Sequence, residues 1–150
     1  AVGVLGVNSL REVDIERLLQ AQSAMSDVVF RRARHVVSEN TRTLAMARAL
    51  AESDYRAVSR LMAQSHDSMR DDFEITVPPI DALVSIIQQV LGAQGGARMT
   101  GGGFGGCAVA LVPTNLIDDV RRAVAEAYHK RTGLRAQTYV CTPENGAFLE

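Results

Sequence analysis

The chain has 150 residues, 47% hydrophobic and 22% charged, with 16 Lys and Arg against 17 Asp and Glu. That length implies one domain with a sizeable core, and a net charge of −1 gives no electrostatic basis for binding nucleic acid or an anionic membrane. No apolar run approaches the roughly 20 residues of a membrane span, and no signal peptide is visible.

Ala1-Val2-Gly3-Val4 opens without Met and in mid-pattern, as expected of a piece cut from a longer protein. Val13–Gln22 carries Ile15, Leu18 and Leu19 at helical spacing behind Asp14, a natural cap. Ser26 or Asp27 caps a long helix reaching about Ala51, with Ala33, Val36, Val37, Leu44 and Ala45 on its apolar face. Asn40 interrupts that face and is expected to be a satisfied core amide. Behind Ser53 or Asp54, a third helix has the stripe Tyr55, Val58, Leu61, Met62, Ser65 and Met69. The dense charged turn Arg70–Glu74 and a short extended run, Ile75–Val77, follow. Pro78-Pro79 suits a first helical turn, and Ile80, Leu83, Val84, Ile87, Val90 and Leu91 give the cleanest stripe in the chain, stopped by Gly92.

Eight of the twelve glycines fall between Gly92 and Gly106, five of them within Gly101–Gly106. They separate Ala97–Thr100 from the apolar run Cys107–Val112, which reads as a hairpin. Five glycines in six positions exceed what a hairpin turn needs. Two physical uses are open: positive φ, and close approach of another surface, including an anion cradled by bare N–H groups. The spacing is neither Walker A nor the Rossmann fingerprint. A fifth helix, begun at Thr114 or Asn115, buries Leu116, Val120, Val124 and Ala127; Gly133 marks a turn, and Ala136–Cys141 alternates as a closing strand. Four helices and then β-β-α-β make a helix-rich α+β domain with a small antiparallel or mixed sheet covered by helices. Cys107 and Cys141 both lie in strand-like segments and match no metal spacing, so core thiols in a reducing, cytoplasmic compartment are expected.

Chemistry-bearing candidates are few. Arg98 and Arg70 join the glycine backbone as possible anion contacts, although a strand Arg also suits solvent. Asp71, Asp72 and Glu74 have the oxygens a hard cation takes, but such acids more often form turns paired with a neighbouring Arg. His35, His66 and His129 are scattered and define no triad; His66 is expected on a helix surface or packed. The residues alone yield no catalytic base.

Arg98-Met99-Thr100-Gly101-Gly102-Gly103-Phe104-Gly105-Gly106-Cys107 resembles the third motif of the GHMP small-molecule kinases, and of the galactokinases in particular. Ser65–Pro78 and Arg31–Asn40 resemble two further galactokinase segments, in the same order and spacing, so the likeness covers Ser9–Pro143. It implies that residues 1–150 are the family's C-terminal domain, with a sheet of three or four strands (ferredoxin-like) and a fourth strand supplied from absent sequence or from Ala1–Val7. The family's first two motifs, its catalytic residues and its Mg2+ ligands have no counterpart here and are expected in an N-terminal domain of the same polypeptide. By this resemblance the whole protein transfers the γ-phosphoryl of ATP to the anomeric hydroxyl of α-D-galactose. Thr100, Gly101, Gly102, Gly103, Phe104, Gly105 and Gly106 would then support the phosphate loop and touch the nucleotide, with Gly103 bare because the partner lobe abuts it. A galactokinase-like sensor without turnover and another GHMP kinase are the alternatives. The exposed split interface is expected to favour self-association.

Overall fold

The computed structural model describes residues 1–143. A short helix, α1 (Val2–Leu5), ends at Gly6, and α2 (Ile15–Gln20) begins where the Asp14 carboxylate accepts the Arg17 N–H at 2.8 Å. The 25-residue α3 (Asp27–Ala51) starts from Ser26, and α4 (Tyr55–Asp71) from Asp54, whose carboxylate accepts the Ala57 N–H at 2.9 Å. Each such cap satisfies a backbone donor that the first helical turn leaves unpaired. The helix α5 (Pro78–Leu91) opens on its two prolines and stops at Gly92. Strands β1 (Gly96–Thr100) and β2 (Cys107–Leu111) pair antiparallel with Thr100 opposite Cys107 and Gly96 opposite Leu111. A 3-10 turn at Thr114–Leu116 leads into α6 (Ile117–Thr132), closed by Gly133 in the left-handed conformation.

The strand β1 organises the packing. Its Ala97 and Met99, both fully buried, face the apolar stripes of α5 (Ile80, Val84, Ile87, Leu91) and α6 (Val120, Val124, Tyr128). On the opposite face α4 lies so close that a Cβ on Gly96 would stand 2.9 Å from the Met62 sulfur. Behind α4 runs α3. The first half of α3 buries Phe30, Ala33 and Val37 with Leu5, Val13 and Leu18; near its far end Ala49 packs with Val58 and Met62. Because α3 changes packing partners along its length, its buried stripe shifts and Leu44, read as apolar core, is 65% exposed.

Four expectations are corrected. Among the described residues the sheet has two strands rather than three or four: Ala136–Cys141 pairs with no strand, and residues 133–143 are all exposed. An alternating pattern becomes a strand only when it pairs with an edge, and residues 134–143 pair with none. The second correction concerns Ala1–Val7, proposed as a source of a strand, which contains α1 instead. Third, both cysteines are exposed rather than core. The helix α4 covers only β1, so Cys107, Val109 and Leu111 of β2 lie on an uncovered face while Ala108 and Ala110 turn inward. Last, Asn40 is not a satisfied core amide, since its buried Nδ2 has no partner.

Candidate functional site

The glycine hairpin and the turn beneath it form one assembly. Between Thr100 and Cys107 the loop passes through positive φ at Gly101, Gly103, Phe104, Gly105 and Gly106. Its tip residue, Phe104, is 73% exposed. The loop seats on Ile75: the Phe104 N–H donates to the Ile75 carbonyl at 2.6 Å. A Cβ on Gly103 would lie 2.7 Å from that oxygen and 2.8 Å from the Ile75 Cβ. Gly103 is therefore bare because of this chain's own turn, which corrects the expectation that an absent lobe requires it. Gly102 differs. Its backbone is not left-handed, and nothing lies within 4 Å of where its Cβ would be. Among the described residues the loop's remaining amides make no hydrogen bond outside the strand ladder.

The turn that carries Ile75 is held from α3. Arg31 donates to the Asp71 carbonyl at 3.0 Å and pairs with one oxygen of Glu74; Arg32 pairs with the other at 2.5 Å and donates to the Asp72 carbonyl. Arg34 binds Asp72 Oδ1, with its Nε at 3.0 Å. The two α3 arginines, Arg32 foremost, hold the Glu74 carboxyl below its usual range by hydrogen bonding. The acids read as a possible cation site are thus turn formers paired with arginines: Asp71 with its neighbour Arg70, as expected, but Asp72 and Glu74 with the distant Arg34, Arg31 and Arg32. Nearby Arg70 is taken up with Asp67 and Asp71. Among the described residues no three His, Cys, Asp or Glu side chains are grouped to hold a metal ion.

A buried polar layer joins this turn to β1. The Asp72 Oδ2 accepts from Ser68 Oγ at 3.0 Å, and Ser68 Oγ stands 3.0 Å from His35 Nδ1. With the serine proton directed to Asp72, Nδ1 of His35 is the donor of that pair. The His35 ring stacks on Phe73 at 4.6 Å. His66 accepts the Met99 N–H at Nδ1 (3.3 Å), which leaves its proton on Nε2, 3.2 Å from Asp81 Oδ1 but too misaligned for a hydrogen bond. Burial lowers the pKa of both histidines. Arg98 does not reach for solvent: it donates to Ser65 Oγ at 2.9 Å and lies 3.7 Å from Glu39. Burial would raise the Glu39 carboxyl, but hydrogen bonds from Arg42 and Ser65 outweigh it and hold the group low. Arg98 and Arg70, the two candidate anion contacts, are accordingly both engaged by carboxylates.

The role of Arg31, Arg32 and Arg34 was not legible in the sequence. The only available signal was three arginines within four positions and an acidic turn of complementary charge, about forty residues apart. His66, expected to be packed or on the surface, is packed. Among the described residues no helix is long and apolar enough to cross a membrane.

Comparison with known proteins agrees with this architecture. The family described as "GHMP kinases C terminal" matches residues 46–130. The chain is also similar to the crystal structure of Lactococcus lactis galactokinase complexed with galactose, at 36% sequence identity and a TM-score of 0.83. That match covers 89% of this chain and 34% of the galactokinase chain, so the sequence spans about a third of that protein. The chain belongs to the GHMP kinases and has the fold of their C-terminal domain.

Proposed function

We propose that this domain is the C-terminal part of a galactokinase, which transfers the γ-phosphoryl group of ATP to the anomeric hydroxyl of α-D-galactose and releases galactose 1-phosphate. The likeness to a galactose-bound galactokinase supports the sugar. The observation that carries the reading is Gly102. The fold explains Gly103 through Ile75, and Gly101, Gly105 and Gly106 through their positive φ, but nothing in this chain requires Gly102 to lack a side chain. A bare peptide facing open space is suited to close approach by something outside the chain.

In this reading Thr100–Gly106 forms one wall of the nucleotide's phosphate end, offering the N–H groups the loop does not use internally. The sequence chemistry fits a supporting wall rather than a complete site. Both nearby arginines are paired, and the acids of the 71–74 turn are committed to guanidinium groups. Mg2+ and the groups that act on the sugar hydroxyl therefore fall to an N-terminal domain of the same polypeptide, where Mg2+ would neutralise charge on the phosphates. What this chain contributes is position: the hairpin rests on the 71–75 turn, the turn on α3, and α3 on the N-terminal core. Phosphoryl transfer depends mostly on such positioning and on charge stabilisation. Two exposed, unpaired thiols suit a reducing compartment, in keeping with a cytoplasmic enzyme.

The test is turnover by the whole polypeptide, with ATP and a panel of galactose, glucose, mevalonate and homoserine. ATP-dependent formation of galactose 1-phosphate, with the other acceptors inert, is expected. Phosphorylation of another acceptor instead would assign a different GHMP kinase. Galactose binding without product would assign a sensor.

A further inference from the structure

We propose that Arg31 and Arg32 are positioning residues for the glycine hairpin, acting through the turn at residues 71–75 rather than on any ligand. The meaning of this for turnover rests on the kinase reading above, but the inference itself concerns contacts within the chain.

The hairpin is attached to the body of the domain by its two strands and, at its tip, by Ile75. Where Ile75 sits thus decides where the loop sits. Ile75 is itself tied back to α4, its N–H donating to the Met69 carbonyl at 3.0 Å, and Phe73 likewise donates to Ser68 at 2.9 Å. Between them Glu74 adopts φ 55, a conformation that L residues other than Asn and Asp seldom take. Unlike Asn, Glu has no short side chain to stabilise that shape from within. The stabilisation comes from outside, because Arg31 and Arg32 each grip one Glu74 oxygen and one backbone carbonyl, that of Asp71 for Arg31 and of Asp72 for Arg32. Each guanidinium therefore binds the turn by both side chain and main chain, which defines its backbone path as well as its charge. Arg32 also stands 6.0 Å above the Phe73 ring, whose other neighbour is His35. Both arginines project from the stretch of α3 that buries Phe30, Ala33 and Val37, so they project from a fixed support.

An isolated exposed ion pair would contribute little. Here two guanidiniums converge on one carboxylate with four contacts to a strained turn, and the strand hairpin depends on that turn for its one tip contact.

The experiment is amide hydrogen exchange by NMR on the 150-residue chain, comparing wild type with the Arg31→Ala/Arg32→Ala double variant. The reporter is the Phe104 amide; the α5 amides of Ile87 and Leu91 report the rest of the fold. Phe104 exchange is expected to rise about tenfold, the effect of losing one charge-assisted anchor, with Ile87 and Leu91 unchanged. Glu74→Asn, which tolerates positive φ while removing both ion pairs, should raise it as well. The Arg31→Lys/Arg32→Lys variant, which keeps charge but cannot fork between carboxylate and carbonyl, should fall between. Unchanged Phe104 exchange would overturn the proposal, as would a rise matched in Ile87 and Leu91. No nucleotide or sugar enters the measurement, so a negative result removes the clamp and leaves the kinase reading standing. Absence of galactose phosphorylation would do the reverse.

Discussion

Substituting Gly103 by Ala tests the seating of the hairpin, because two outcomes compete and their magnitudes differ. If the loop stays in place, the new side chain must hold φ 85, at about 1–2 kcal/mol for an L residue in the left-handed region. It must also force a Cβ to 2.7 Å from the Ile75 carbonyl oxygen, an overpacking contact of about 1–3 kcal/mol. If the loop lifts instead, the domain loses the Phe104–Ile75 hydrogen bond, about 1 kcal/mol net, together with a small apolar contact. Lifting is cheaper. Gly103→Ala should therefore lower stability by only about 1–2 kcal/mol, a Tm decrease of roughly 2–8 °C for a domain of this size, and should also abolish protection of the Phe104 amide. Calorimetry and amide exchange together distinguish this from a rigid clash, which would cost more and leave the amide protected. Gly102→Ala is the control: its backbone is ordinary and its surroundings open, so it should stay within about 0.5 kcal/mol of wild type. If Gly103→Ala matched Gly102→Ala in both measurements, the Ile75 seat would be refuted.

Two other predictions follow from the packing. Met99→Ala removes a fully buried side chain from the core that β1 shares with α5 and α6 and should cost about 2–5 kcal/mol in urea unfolding. By contrast, Val109→Ala, on the uncovered face of β2 and 41% exposed, should cost less than about 1 kcal/mol; equal losses would contradict the one-sided cover of the sheet. The buried histidines, His35 and His66, set a pH dependence. Burial lowers both pKa values, whereas unfolding returns each to about 6.5. Below that value the unfolded chain binds protons that the folded chain refuses, so stability falls with falling pH, by at most about 1.4 kcal/mol per unit for each histidine. Urea midpoints should drop between about pH 7 and about pH 5.5, and the His66→Gln variant should flatten the slope; an unchanged midpoint in wild type would refute it.

The elements legible in the sequence were those whose signals are local. Asp14, Ser26 and Asp54 cap the helices they precede, and the α5 stripe between Pro78 and Gly92 is buried as its periodicity requires. Signals that depend on a partner surface were less informative. The continuous apolar run at Cys107–Val112 gives a strand but not which face is covered, because that depends on how far α4 extends across the sheet. At Ala136–Cys141 an alternating pattern gives no strand, since the segment pairs with neither strand of the sheet. The glycine cluster identified the candidate site, but it could not divide its members. Whether Gly103 is bare for Ile75 or for another lobe is a matter of distance across about thirty residues. The arginines of α3 were hidden for the same reason: their role is defined by a turn forty residues away.

Kinetics of Gly102→Val in the whole polypeptide are the most direct test that a second lobe meets the bare loop. This chain has room and a suitable backbone for the new side chain, so the variant should fold with the wild-type Tm. If the loop lies against the nucleotide-holding lobe, kcat for galactose phosphorylation should fall by about 10²-fold, the scale of a misplacement near 1 Å. Wild-type kcat and an unchanged KM for ATP would contradict the account.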